Sequence, residues 1–220
     1  MTDFIVVRHG QTEWNLAARI QGHGDSSLTA NGFAQADAIA RRLGEESFDL
    51  LVSSDLGRAM QTSTRIAAVT RHSIVADVRF RERSFGCAEG LTYSELRDRF
   101  PGAFARHLQD TDPDFQVPEA ETRRMFYERI GESFEALARE RDGLRVAVVC
   151  HGGVLAALYR YILDIPPEGI VSVAIPNAAY NRVSVDASGW TIEAWGDTSH
   201  LDEIGGESAA SRGSILARMS

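Results

Sequence analysis

The sequence predicts an α/β fold, a three-layer sandwich with a mostly parallel central sheet, helices on both faces and a small inserted helical lobe. Three observations predict it. Short apolar runs alternate along the chain with segments of helical periodicity. A length of 220 residues with 44% hydrophobic content suits one domain with a full core. Polar residues able to do chemistry follow the apolar runs and do not interrupt them.

Phe4 to Val7 is the first strand, and Thr29 then caps a helix whose apolar face is Phe33, Ala36, Ile39 and Leu43. Leu50 to Ser53 is the second strand, followed by a helix that starts at Asp55 and closes at Ile66. Thr92-Tyr93-Ser94-Glu95 reads as a capping box, and Phe126, Ile130, Phe134 and Leu137 mark one face of a further helix. This stretch, about 88–140, is the expected lobe. Arg145 to Val149 is the third strand, with a helix from Val154 to Leu163 behind it. Val183-Ser184-Val185, a turn through Ser188-Gly189, and Trp190 to Ala194 form a late hairpin. Residues 1–202 are thus one domain, and the tail 203–220, rich in Gly, Ser and Ala, reads as mobile.

Composition narrows the chemistry. A formal charge of -8 gives no reason to approach nucleic acid or an anionic membrane. All 23 basic residues are Arg, so no Schiff-base, pyridoxal phosphate or Walker lysine exists, and any strong cation is Arg or protonated His. Cys87 and Cys150 form neither a disulfide scaffold nor a zinc pattern, and the six His show no H-x-H or H-E-x-x-H spacing. No metal or cofactor is therefore expected. With no signal-like N-terminus and no membrane-length run, the protein is expected in the cytoplasm. Oligomeric state has no signature in the chain.

Arg8-His9-Gly10 follows the first strand, Ser53-Ser54-Asp55-Leu56-Gly57-Arg58 the second, and His151-Gly152-Gly153 the third. Ligands of open α/β sheets bind outside the carboxyl ends of the strands, so two His and two Arg converge on one crevice. Helix N-termini there add N–H donors for an anion. Each residue alone has a plainer reading, as a packing His, a solvated Arg or turn glycines. Three strand ends converging on cationic and imidazole groups describe a phosphate site.

These segments, together with Gln11-Thr12-Glu13-Trp14-Asn15, Gln21-Gly22, Glu82, Phe85-Gly86 and Glu89-Gly90, resemble the histidine phosphatase superfamily, which includes cofactor-dependent phosphoglycerate mutases. The resemblance implies that His9 takes the phosphoryl group, that Arg8, Arg58 and His151 bind it, and that Glu82 is acid and base. Asn15, Gln21 and Gly22 match positions lining the pocket, and Gly152 is added as a binding position beside His151. Many relatives carry a longer apolar strand before Glu82, where this chain has Arg79-Phe80-Arg81.

The chemistry is consistent with those roles. Neutral imidazole is a competent nucleophile, and its phosphorylated form is a labile adduct that divides one hard displacement into two. Two guanidinium forks match the oxygens of the transferring group, and an arginine so placed is worth about 10³ to 10⁵ in rate in other phosphotransfer enzymes.

Other signatures fail. A cysteine phosphatase built on Cys150 needs Arg six residues on, where Ala156 stands, and Asp110-Thr111-Asp112 follows no apolar strand. His23, His72, His107 and His200 read as surface or supporting residues. The expected partner is a small phosphate ester and the expected reaction its hydrolysis, since mutases of the resembled family place a lysine in the cap and this chain has none. The alternatives are a phosphoglycerate mutase, with Arg97 or Arg123 standing in for that lysine, and a non-catalytic phospholigand-binding protein.

Overall fold

The computed structural model describes residues 1–102, 112–168 and 172–204. Six strands, β1 (Thr2–Arg8), β2 (Leu50–Ser53), β3 (Ile74–Ala76), β4 (Arg145–Cys150), β5 (Tyr180–Asp186) and β6 (Gly189–Asp197), form one sheet in the order β3-β2-β4-β1-β5-β6. Neighbours among β3, β2, β4 and β1 run parallel, and only β5 is reversed relative to the rest.

The two-residue period of the strands decides what each face buries. Phe4 and Val6 of β1 and Val146 and Val148 of β4 belong to one core, while Ile5, Val7, Ala147 and Val149 belong to the other. Both faces being covered, these strands read as continuous apolar runs. Each fully buried Val, Ile or Phe among them contributes about 1.5–3 kcal/mol.

The helices among the described residues are α1 (Glu13–Leu16), α2 (Ala30–Gly44), α3 (Gly57–Thr70), α4 (Tyr93–Arg99), α5 (Arg123–Glu140) and α6 (Gly152–Ile162). Helices α2 and α3 cover the Ile5 face through Ile39, Leu43 and Ile66, and α5 and α6 cover the Phe4 face through Phe126, Ile130, Phe134 and Leu155. Thr29 and Thr92 cap α2 and α4 as expected, the latter with its capping box to Glu95. The hairpin of β5 and β6 also forms.

Four details differ. Helix α3 starts at Gly57 and not at Asp55, whose carboxylate instead takes the Arg81 guanidinium at 2.5 and 2.7 Å. Helix α6 starts at Gly152, two residues before Val154, so the glycines are its first turn. Strand β3 escapes prediction because it is short, lies at the sheet edge and has Val75 exposed. The expected lobe of 88–140 divides: α5 packs on the sheet, whereas Ala88, Leu96, Val117 and Ala120 gather with Ile20 in a separate small core. Residues 103–111, with His107 and part of the Asp110-Thr111-Asp112 segment, lie outside the described residues, as does the tail from 205. No helix among the described residues is long and apolar enough to cross a membrane.

Candidate active site at the carboxyl ends of the strands

The parallel register brings the predicted groups together. Val7 pairs with Val149 and Arg8 with Cys150, so β1 and β4 end side by side and release His9 and His151 at the same level. The His9 N–H continues the ladder to the Cys150 carbonyl oxygen at 3.0 Å. The two imidazoles lie with centroids 5.3 Å apart, and His9 and His151 are 3% and 0% exposed. Arg58 comes from the first turn of α3, behind β2, and is 1% exposed.

The tautomer of His9 follows from its partner. Its Nδ1 lies 2.8 Å from the Gly10 carbonyl oxygen, which can only accept, so Nδ1 carries the hydrogen and neutral His9 keeps its lone pair on Nε2. Burial, reinforced by the charges of Arg58 and Arg8, holds the His9 pKa well below its ordinary value of 6.5. His151 is lowered similarly, by burial first and then by Arg58, His9 and Arg8. Its Nε2 lies 2.8 Å from Ser54 Oγ.

Both arginines are oriented mainly by carbonyl oxygens, and Arg58 also pairs with the Asp25 carboxylate. Arg58 donates to Gly24 O at 2.9 Å and Gly22 O at 2.8 Å, with a longer 3.2 Å contact to Asp25. Arg8 donates to Ile175 O at 2.5 Å. Enclosure brings Arg8 down to about 10, with Glu82 opposing the shift and Arg58 adding to it. Arg8 Nε, Arg58 Nε and His151 Nδ1 are buried with no hydrogen-bond partner among the described residues. Such orphans are costly unless a ligand meets them. All of them point to an anion.

Glu82 sits across the α6 N-terminus. Its Oε2 accepts from the Gly153 N–H at 2.9 Å and its Oε1 from the Arg83 N–H at 2.9 Å. A Cβ on Gly153 would lie 2.1 Å from Glu82 Oε1, so the glycine lets the carboxylate sit at this position. Helix α6 thus gives its first-turn N–H to the carboxylate.

The remaining predicted residues are also in place. Asn15 closes the α1 capping box with Thr12 and receives Asn177 Nδ2 at 3.4 Å. Gln21 takes the Thr12 hydroxyl at 3.1 Å. Gly22 has φ +58, with no room for a side chain against Glu89 and the Phe85 N–H. Gly152 lies against Arg8, and a Cβ there would be 3.4 Å from its Nε.

Sequence reasoning missed the supports. Glu89 accepts the N–H groups of His23, Gly24 and Phe85 at 2.7–2.9 Å and so fixes the loop that positions Arg58. Asn177 donates to the His9 carbonyl at 3.0 Å, and Thr62 accepts the Gly10 N–H at 3.1 Å. Arg129 reaches the carbonyls of Arg79 and Arg81, and His23 Nε2 lies 3.0 Å from the Glu82 carbonyl. Glu89 stood in a quoted segment without a role, whereas Asn177 had no local signal. Cys150 is buried in β4, with its thiol pushed up by burial, so it is no nucleophile.

Residues 4–198 match the model of the histidine phosphatase superfamily, branch 1. The chain belongs to the histidine phosphatase superfamily. It is 37% identical over 208 residues to a metal-independent phosphoserine phosphatase of Arabidopsis thaliana, covering 93% of this chain and 85% of that one. It is 34% identical over 209 residues to a probable phosphoglycerate mutase of Proteus mirabilis, covering 93% and 97%. Among solved structures, YhfR of Bacillus stearothermophilus superimposes with a TM-score of 0.84 at 29% identity, covering 92% of this chain and 100% of that one. A mycobacterial glucosyl-3-phosphoglycerate phosphatase gives 0.76 at 29% identity, covering 89% and 99%. The protein is a phosphotransfer enzyme of this superfamily, whose relatives are phosphatases and phosphoglycerate mutase-like enzymes.

Proposed function

We propose that the protein hydrolyses small phosphate monoesters, with His9 carrying the phosphoryl group from ester to water. One observation carries this reading: the Gly10 carbonyl fixes hydrogen on Nδ1 of a buried, neutral His9, leaving Nε2 as a nucleophile beside Arg8 and Arg58. The Nε2 lone pair attacks phosphorus and the ester P–O bond breaks. Glu82, protonated at that stage, gives its proton to the departing oxygen. Water then attacks the phosphohistidine and yields a proton to the Glu82 carboxylate, and the P–N bond breaks to release inorganic phosphate.

Arg8, Arg58 and His151 bind the phosphoryl oxygens; the buried Arg8 Nε and Arg58 Nε are donors, and His151 Nδ1 is a third unpartnered nitrogen beside them. Asn15, Gln21, Gly22 and Gly152 shape the same pocket. A single domain of 1–202, bordered by its lobe, supplies all of these groups. Free Cys87 and Cys150 suit a reducing cytoplasm.

Water is the acceptor in this reading, because a chain without lysine lacks the cap cation of the mutases. Two measurements test it. Wild type quenched in alkali during turnover carries an acid-labile phosphoryl group on His9, which is lost in His9→Ala. With 3-phosphoglycerate and a trace of the 2,3-bisphosphate, phosphorus NMR shows growth of inorganic phosphate, and growth of 2-phosphoglycerate instead would replace hydrolysis with isomerisation.

A further inference from the structure

We propose that Arg129 is a positioning residue for the acid/base step, its guanidinium holding the stretch of backbone from which the Glu82 carboxylate is aimed. The inference rests on the role assigned to Glu82. Residues 81–84 lie in neither helix nor strand, so no ladder fixes the chain at this point. The carboxylate is held by two backbone N–H groups, those of Arg83 and Gly153, each at 2.9 Å. The first of these moves with Glu82, because it belongs to the next residue. Where the carboxylate points therefore depends on what holds the carbonyl groups of residues 79–82.

Arg129 supplies that hold. Its Nη1 donates to Arg79 O at 2.7 Å and to Arg81 O at 3.2 Å, and its Nη2 to Glu82 O at 3.4 Å. The other edge of the fork, Nε and Nη2, meets the Glu121 carboxylate at 2.8 and 2.9 Å. A guanidinium has five N–H donors in one plane, and this arrangement uses all five. Arg129 stands on α5 beside Ile130, which packs with Phe126 on the sheet, so the fork is carried by a rigid part of the fold. The Glu121 side chain is 15% exposed, so little water competes for the pair. That pair also leaves the fork with little net charge toward Glu82, so its action is geometric.

A plainer reading is that Arg129 only ties α5 to the segment before Glu82. The two readings part at the leaving group. A tie that serves stability alone slows every ester alike, whereas a lost aim slows only esters whose departing oxygen needs a proton. Because His23 Nε2 also reaches the Glu82 carbonyl, at 3.0 Å, the loss on removing the fork is partial.

The test compares two esters with opposite needs. p-Nitrophenyl phosphate releases a phenolate that departs unaided, and benzyl phosphate releases an alkoxide that must be protonated. The quantity read is kcat/KM, which covers the steps through phosphorylation of His9, where the leaving group departs. In Arg129→Met it falls about 10- to 100-fold for benzyl phosphate and less than about threefold for p-nitrophenyl phosphate. Glu82→Gln shows the same selectivity in fuller form, about 10²- to 10⁴-fold on benzyl phosphate, and adding Arg129→Met to it changes the ratio no further. Arg129→Lys, with its donors on one atom, recovers only part of the loss. Aim is also read without turnover: the Gly153 amide proton, which Glu82 accepts, moves upfield in Arg129→Met in the direction it takes in Glu82→Gln. An equal loss for both esters, or none, overturns the role of Arg129. If Glu82→Gln does not discriminate the esters, or wild type turns over neither, the acid/base reading falls and the Gly153 resonance alone decides whether Arg129 aims the carboxylate. Should the methionine variant fold poorly, Glu121→Gln keeps the fork, removes its ionic partner and reports the same ratio with a smaller loss.

Discussion

The two ends of β1 carry buried charge, and the protein treats them in opposite ways. At the amino end, Asp3 accepts Arg182 in a paired contact at 2.7 and 3.1 Å and Arg145 at 2.6 Å. Arg145 also reaches the Ser47 carbonyl and Arg182 pairs with Glu193 at 2.9 Å, so each charge is answered. At the carboxyl end, Arg8, His9, Arg58 and His151 stand together with three buried nitrogens unanswered. A single seven-residue strand thus carries a finished structural network at one end and an unfinished one at the other. Burial alone therefore does not mark a working site. What sets the carboxyl end apart is that several buried polar groups left unsatisfied converge there, each at a cost of about 1–3 kcal/mol.

The largest expected effect separates the two ends by activity. His9→Ala lowers kcat by on the order of 10⁴ to 10⁶, as removal of a nucleophile does. It costs only about 1 kcal/mol of folding stability at neutral pH, because the neutral side chain makes a single hydrogen bond. Steady-state assays beside urea melts measure both quantities. A variant that unfolds easily or keeps appreciable turnover would erase the distinction between the two ends.

Asp3→Asn is the mirror experiment. It breaks a buried ionic network and costs about 2–3 kcal/mol of stability, since Arg145 and Arg182 each lose a charged partner. Its kcat on any accepted ester matches wild type, because nothing at the carboxyl end of β1 touches this carboxylate. A fall in kcat without a fall in urea midpoint would show that the two ends are coupled.

What was legible follows the same division. Strands β1 and β4 were readable because both faces are buried, and the caps at Thr29 and Thr92 because their chemistry is local. Arg8, His9, Arg58 and His151 could be read as a convergent group because each follows an apolar strand in a compact motif, whereas Glu82 was carried only by the family resemblance. Strand β3 was not readable, since three half-solvated edge residues carry too little pattern. Nor were Asp25, Glu89 and Asn177, which act on backbone groups 33, 65 and 168 residues away. Contacts of that separation leave no spacing in the chain. The start of α6 was misplaced because Gly152-Gly153 reads as a turn, whereas Glu82 accepting the Gly153 N–H sustains a glycine helix start.

The pH dependence of stability distinguishes the two ends more finely. For His9 and His151 the folded pKa lies below the unfolded 6.5, so below pH 6.5 the unfolded chain takes up protons that the folded one refuses. Their contribution is whole above pH 6.5 and is lost as the pH falls, by up to about 1.4 kcal/mol per pH unit for each group. Asp3 has the reverse chemistry with the same direction of loss. Burial raises its carboxyl, but the hydrogen bonds of Arg182 and Arg145 more than offset this and hold it below 3.8, so its contribution is lost only as the pH falls below 3.8. Urea melts at pH 7, 6 and 5 therefore show a slope that His9→Ala reduces and Asp3→Asn leaves alone. In kcat, a depressed His9 pKa predicts no imidazole loss on passing down through pH 6.5. A kcat that halves near 6.5 would restore an ordinary, solvated histidine.

The smallest expected effect is none at all, on removing metal ions. A divalent cation in a phosphotransfer site offsets the negative charge of the transferring group and needs carboxylates to hold it. The carboxylates near this site are engaged elsewhere: Glu82 by two backbone N–H groups, Glu89 by three, and Asp25 by Arg58. The charge that a metal would bring is already supplied by Arg8 and Arg58, whose orienting partners are mainly neutral carbonyls. Enzyme dialysed exhaustively against EDTA therefore hydrolyses phosphate esters at the untreated rate, and added Mg²⁺ or Zn²⁺ does not raise it. Loss of turnover in EDTA with recovery on adding metal would mean that the carboxyl end of β1 is short of positive charge, and the contrast with its amino end would have to be redrawn.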